Sequence, residues 1–173
     1  MRYLLIVENP GYTPSIRQEL LRRLRAQLPV ISVRVGTRHV EVDVKTEDLN
    51  AAKEVVEKVV GGEVKEVVDI TFEDVGGGVG QFVRRFNEER FWEAHNALEG
   101  AWRATRNPTL QGLIMLAAAF VKLQEGAPEK FEKMLKEAMD LITEDVNCIK
   151  ASYIKKMAER ALLLRQPFKI ECS

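Results

Sequence analysis

The sequence predicts an α+β chain in two parts, an N-terminal ferredoxin-like βαββαβ domain followed by an all-α helical bundle domain, and three observations carry that prediction. Four short apolar or alternating runs before residue 74 have the lengths of strands. Two stretches among them repeat their apolar residues every three or four positions, as helices do. Beyond the glycine-rich break at 73–80 (EDVGGGVG) the strand pattern stops and the 3.6-residue period continues to Pro167. We therefore divide the chain into a domain at 1–74, a linker at 75–80 and a bundle at 81–173.

The elements follow in order. Residues 2–8 (RYLLIVE) form an apolar run that fits a buried strand. Thr13 before Pro14 makes a helix start, with a hydroxyl able to cap and Pro at the first helical position, and Ile16, Leu20, Leu24 and Leu28 then mark an amphipathic helix. Residues 30–35 and 38–45 alternate around Gly36 and Thr37, which predicts a hairpin. Leu49, Ala52, Val56 and Val59 line one side of a second helix, and 63–72 read as the last strand.

In that arrangement both helices cover one sheet face and the other is left open. Period-two counting sends Val40, Val42 and Val44 toward the helices and His39, Glu41, Asp43 and Lys45 to the open face, beside Ser32 and Arg34. RNA-binding sheets of this kind stack bases on outward aromatic residues. Carboxylates stand there instead, so the reading is a solvated polar face, with a dimer or ligand surface as the other options.

The chain of 173 residues balances 26 Lys and Arg against 26 Asp and Glu, which argues against a surface that is one large nucleic-acid footprint. Charge is uneven within the first half: residues 1–40 carry +5 and residues 41–75 carry −7. Arg17, Arg22 and Arg25 can share the outer face of the first helix, either solvated or facing an anionic partner such as a nucleic acid. No run of 18 apolar residues occurs, and the opening MRYLLIVENPGYTP breaks at Glu8, so neither a membrane span nor a signal peptide is expected, and we expect a cytoplasmic protein. Cys148 and Cys172 lack CxxC spacing and a nearby His, which favours two isolated thiols over a metal site; a disulfide is the remaining option, at home in a hyperthermophile, and the 30% charged content points the same way.

The glycines of 73–80 do not form a phosphate loop, because no GK[ST] follows and two acids precede them; a flexible linker is the expectation. Residues 81–104 then read as helical with a break near Asn87. A helix that is apolar nearly all round (LQGLIMLAAAFV, 110–121) follows Asn107-Pro108. A third runs from Phe131 through Leu135, Ala138 and Ile142 to Val146, and a fourth from Ile149 to Leu162.

The informative helix is 88–103. Phe91, Ala94, Leu98 and Ala101 make its apolar face, while Glu88, Trp92, His95, Glu99 and Trp102 make a second stripe beside it. His95 and Glu99 lie one turn apart, so the carboxylate can bond the imidazole, fix its tautomer and raise its pKa. Three readings stay open: a buried pair that fixes helix packing, a general base or half of a metal site, and a ligand site without chemistry. Gln111, opening the next helix, is the obvious extra polar partner.

FNEERFWEAHNALEGAWR (86–103) followed by LQGLIMLAAAF (110–120) resembles the domain-of-unknown-function family number 309, small helical proteins with a WE-x-H-x-x-LE-x-x-W pattern and then QGLI with an Ala run. The resemblance spans about residues 86–145 and implies the helical fold of the second half; the family brings no activity. Its motif falls on Trp92, Glu93, His95, Leu98, Glu99, Trp102, Gln111 and Gly112. Many members carry Glu directly after the His and another His late in the Ala-rich helix, where this chain has Asn96 and Val121, which leaves fewer ligands for a metal.

The reading is thus a binding or protein-interaction module, with no metal and no cofactor called for. The candidate cluster is Trp92, Glu93, His95, Glu99, Trp102 and Gln111. The alternatives are an enzyme or a metal- or ligand-binding protein using His95 and Glu99, and nucleic-acid binding through the Arg-rich first helix. A homo-oligomer or a protein partner stays open.

Overall fold

In the computed structural model, which describes residues 1–72 and 76–172, the first part of the chain runs β1 (Arg2–Glu8), α1 (Arg17–Arg25), β2 (Val30–Val35), β3 (His39–Lys45), α2 (Leu49–Val60) and β4 (Val64–Asp69). The sheet order is β2-β3-β1-β4 with every neighbouring pair antiparallel. That is the ferredoxin-like order the sequence predicts. The chain divides into two compact units: one holds these elements together with Gln124–Gly126, and the other holds the helices that follow.

The core of the first unit lies where alternation put it, between Val40, Val42 and Val44 of β3, Leu5 and Val7 of β1, Leu20 and Leu24 of α1, and Val56 and Val60 of α2. Each buried Val or Leu of this kind contributes about 1.5–3 kcal/mol relative to exposure. The exit from α2 needs glycine twice. Gly61 adopts φ 85°, and a Cβ on Gly62 would lie 1.9 Å from the Glu8 carbonyl oxygen. The start of α1 differs from expectation: Pro14–Ile16 form a 3₁₀ turn, and the Thr13 hydroxyl meets Ser15 Oγ at 2.7 Å instead of capping the helix.

The second sheet face corrects the sequence reading. Glu41 and Asp43 point away from the helices as expected, yet each is only 1% exposed, and Ser32, Arg34 and His39 are buried with them. They tolerate the loss of water because opposite charges meet across the strands. Arg34 pairs with Glu41, its register partner, and its Nη2 lies 4.0 Å from Asp43, while Arg2 grips Asp43 with Nε at 2.9 Å and Nη2 at 2.7 Å. Leu4 and Ile6, the β1 partners of Asp43 and Glu41, are buried on the same face.

The second unit contains α3 (Gly78–Asn87), α4 (Phe91–Thr105), α5 (Pro108–Gln124), α6 (Pro128–Leu141) and α7 (Ala151–Leu164). Of the expected linker at 75–80, Val75 lies outside the described residues, as do Glu73 and Asp74 before it, and Gly78 to Gly80 already form the first turn of α3. The break near Asn87 is present, with Glu89 at φ 59° between α3 and α4. The core gathers on Phe86, whose ring centroid lies 5.0–5.7 Å from those of Phe82, Phe91, Phe120 and Phe168. Gly112 lets α5 and α6 close up, since a Cβ there would sit 2.6 Å from Ile142 Cγ1 and 3.1 Å from the Ala138 carbonyl oxygen.

Two expectations fail here. The third helix ends at Leu141, short of Val146, because Ile142 turns extended and the Thr143 and Glu144 N–H groups donate to Thr109 Oγ1 at 3.3 and 3.2 Å. Val146 and Ile149 instead form a short antiparallel bridge. The cysteines are not isolated thiols: Cys148 and Cys172 are joined in a disulfide with their Cα atoms 4.9 Å apart, because the segment after α7 returns along α3 and carries Cys172 to the loop before α7. Among the described residues no helix is long and apolar enough to cross a membrane.

The buried ion pairs give a first prediction. Glu41→Ala takes the closest carboxylate from a buried guanidinium and lowers stability by about 3 kcal/mol, whereas the paired change Arg34→Met with Glu41→Leu restores most of it. Equilibrium denaturation in urea reads both, and Glu19→Ala, which breaks the exposed pair with Arg22, leaves the midpoint unchanged.

Candidate functional site

The helix α4 is positioned by its apolar face. Phe91, Ala94, Ala97 and Leu98 are buried, with the Phe91 ring stacked 5.0 Å from Phe120 of α5. Residues at 95, 99 and 102 then lie on the adjoining side of the helix, one turn apart. There His95, Glu99, Trp102 and Arg103 of α4 face Gln111, Ile114, Met115 and Ala118 of α5 across a groove of about 480 Å³, and Met134 of α6 joins its apolar wall. Polar groups therefore converge over apolar ones.

Four of the six sequence candidates meet in this groove: His95, Glu99, Trp102 and Gln111. Glu93 does not. It is buried on another side of α4, where Arg90 grips both its oxygens at 2.6 and 3.0 Å and Arg85 stands 3.6 Å away. Trp92 is half-buried outside the groove lining. The sequence reading missed Arg103, although its i+4 spacing from Glu99 was visible, and it missed Ile114, Met115, Ala118 and Met134 because helix periodicity does not say which neighbouring wall an apolar residue faces.

His95 Nε2 and Glu99 Oε1 are 3.3 Å apart, and Arg103 Nη2 donates to Glu99 Oε2 at 2.7 Å. Glu99 does pull the His95 pKa upward, as expected, but the net shift runs the other way. Burial of the imidazole lowers it below the ordinary histidine value, and the attraction of Glu99 offsets that only in part. The carboxylate is shared with Arg103, and both residues of the His–Glu pair are about a third exposed. The imidazole is therefore neutral near pH 7, offering one donor and one acceptor nitrogen. At the end of the groove the Arg106 guanidinium sits 4.4 Å over the Trp102 indole and holds the ring by a cation–π contact.

Asn96 turns its amide back to the Trp92 carbonyl oxygen at 2.9 Å. Among the described residues no three His, Cys, Asp or Glu side chains are grouped to hold a metal ion. The groove lining contains no hydroxyl or thiol to act as a nucleophile.

Three of the four arginines of α1 are engaged with their own domain. Arg17 donates to the Val33 carbonyl oxygen at 3.0 Å, Arg25 donates to those of Val30 and Ile31 at 3.0 Å, and Arg22 pairs with Glu19 at 2.6 Å. A continuous basic patch would need Arg34 or Arg38 beside them; Arg34 is buried against Glu41, while Arg38 is exposed.

Residues 79–134 match the model of a family described as Domain of unknown function (DUF309). The match covers about a third of the chain, spans α3 to the middle of α6, and contains every groove residue from His95 to Met134. None of the curated proteins and none of the solved structures compared matches the chain.

The lowered pKa of His95 fixes a sign. Between the folded value and the unfolded value of about 6.5 the unfolded chain binds more protons, so the His95 contribution to stability is lost as pH falls through that window. His95→Gln flattens the corresponding part of the stability–pH curve, and Glu99→Gln lowers the His95 pKa further, as an NMR titration of the ring protons reads directly.

Proposed function

We propose that the helical unit is a binding module whose groove takes a small uncharged molecule with a planar or apolar body and a hydrogen-bonding end. The observation that carries this reading is the geometry of the rim: the Glu99 carboxylate 3.3 Å from His95 is already paired with Arg103 at 2.7 Å, and burial, by lowering the His95 pKa, favours the neutral imidazole. A free anion would meet Glu99, and a free cation would meet Arg103. A carboxamide or similar group satisfies the rim better, with its N–H groups donating to Glu99 or His95 and its carbonyl accepting from the Gln111 amide. The apolar body lies against Met115, Ala118 and Met134, and thioether side chains adapt to varied shapes. Trp102 supplies a ring face for stacking.

Binding without turnover is the role we assign, because Glu99, the acid beside His95, is already held by Arg103, and the lining adds no hydroxyl or thiol. We keep the cytoplasm as the site of action, and for this groove we put a small molecule in place of the protein partner or homo-oligomer that the sequence left open. The match of residues 79–134 to the family model supports the groove as a feature of the matched segment, since its lining falls within it.

Benzamide and benzoate make a matched pair of probes. Benzamide, with nine heavy atoms, is expected to bind with a Kd of about 1–10 mM and to move the Trp102 Nε1–H and Gln111 side-chain signals in a ¹H–¹⁵N spectrum. Benzoate binds at least fivefold more weakly because its charge meets Glu99. Ala118→Trp fills the groove and abolishes the shifts. Shifts scattered away from α4 and α5, or unaffected by Ala118→Trp, would sink the proposal.

A further inference from the structure

After α7 the chain does not trail into solvent. Arg165 turns back with φ 51°, and residues 166–172 run without regular secondary structure across the helical unit. Their side chains alternate: Phe168 and Ile170 are buried, while Gln166, Lys169 and Glu171 are exposed. Phe168 enters the aromatic core, 5.3 Å from Phe86 and 5.7 Å from Phe120 between ring centroids.

The main chain of this segment is read as well. Asn87, the last residue of α3, accepts from the Ile170 N–H at 2.7 Å and donates to the Ile170 carbonyl oxygen at 3.0 Å, and the Tyr153 hydroxyl donates to the Lys169 carbonyl oxygen at 2.7 Å. Main-chain hydrogen bonds with pockets for alternate side chains are how proteins bind extended peptides. The packing is incomplete on one side, where a cavity of about 310 Å³ lies between α7 and the segment, bordered by Met157, Leu164 and Phe168. The disulfide from Cys172 to Cys148 closes the far end, with both cysteines half-buried at the surface.

We propose that this slot is a peptide-binding site filled in cis by the C-terminal segment, that the Cys148–Cys172 disulfide is its latch, and that reduction lets the slot exchange its occupant with the same segment of a second copy. The reductant is a dithiol. Its two thiols become a disulfide while the Cys148–Cys172 bond breaks to two thiols, so electrons and protons balance. The second copy is the occupant because its segment presents the identical Phe168 and Ile170 to the identical Asn87 and Tyr153. Straightening the chain at Arg165 removes the left-handed residue that the closed form requires, and exchange of an identical element is a low-cost route to a dimer. The proposal stands apart from the groove of His95 and Glu99, and neither depends on the other.

The test compares oxidised protein, dithiothreitol-reduced protein and Cys172→Ser at about 1 mM, near the effective concentration of a short tether, by size-exclusion chromatography with light scattering. The expected result is a monomer when oxidised and a dimer fraction at least tenfold higher in the other two, with helical circular dichroism retained. A fluorescein-labelled peptide QPFKIE should compete with that dimer and bind oxidised protein at least tenfold more weakly. Phe168→Ala in the reduced protein should remove the dimer; if that variant loses its helical signal, Asn87→Ala serves the same purpose through the main-chain contacts. Reduced and Cys172→Ser proteins that stay as monomeric as the oxidised one overturn the proposal. So does a dimer that survives Phe168→Ala or Asn87→Ala, and so does unfolding on reduction, which would make the bond a structural staple.

Discussion

The rotation of α4 about its own axis is the constraint on which the helical unit depends. Phe91 stacked on Phe120, with Phe86 edge-on to both, holds that rotation. Once Phe91, Ala94 and Leu98 face inward, the helical step of 100° per residue leaves His95, Glu99 and Trp102 no choice of side. The same step carries Glu93 away from them, into its pair with Arg90. The groove is thus a by-product of the core, and the aromatic cluster behind it sets the side of α4 from which its polar rim projects. Gly112 adds the other half, since only a residue without a side chain lets α5 lie so close to Ile142 and Ala138.

Charge is handled in opposite ways in the two units. On the first unit's sheet, Arg34, Glu41, Asp43 and Arg2 are withdrawn from water and survive by pairing. Such an arrangement adds little net stability over an apolar one, but it penalises any strand register that separates the partners. A one-residue slip of β2 against β3 would face Arg34 with Val40 or Val42. In the groove, by contrast, the charges are half-exposed and His95 loses its proton readily, so the polar groups stay available to a ligand.

Much of the fold was legible from periodicity, and the reasons for the misses are physical. Alternation in β3 fixed which way Glu41 and Asp43 point, but direction does not tell whether water reaches them. Periodicity also fixed the faces of α4 and placed four of the six candidate side chains together. Glu93 was grouped with Trp92 because the two are adjacent in the motif, although neighbours on a helix face different ways. Met134 was not among the candidates because a helix pattern cannot name the wall its residues meet. The cysteine pairing was invisible for a further reason: it depends on the path of residues 166–172, which carry no helical or strand signal and are placed by Phe168, Asn87 and Tyr153.

The sign of the His95 shift shows how local spacing and burial compete. A carboxylate one turn away suggests a raised pKa, and in water that attraction would have nothing to oppose it. In the groove, burial penalises the imidazolium more than Glu99 rewards it, and Arg103 draws on the same carboxylate through its shorter contact. Had Arg103 been apolar, Glu99 would carry an unbalanced charge and the groove would favour cations. With Arg103 in place the rim is electrically balanced, and shape and hydrogen bonding are left to select the ligand. The matched family segment contains this whole balance, while α7, the returning segment and the Cys148–Cys172 bond lie beyond residue 134. The groove and the latch are therefore separable features, the first resting on residues that the family model covers and the second on residues that it does not.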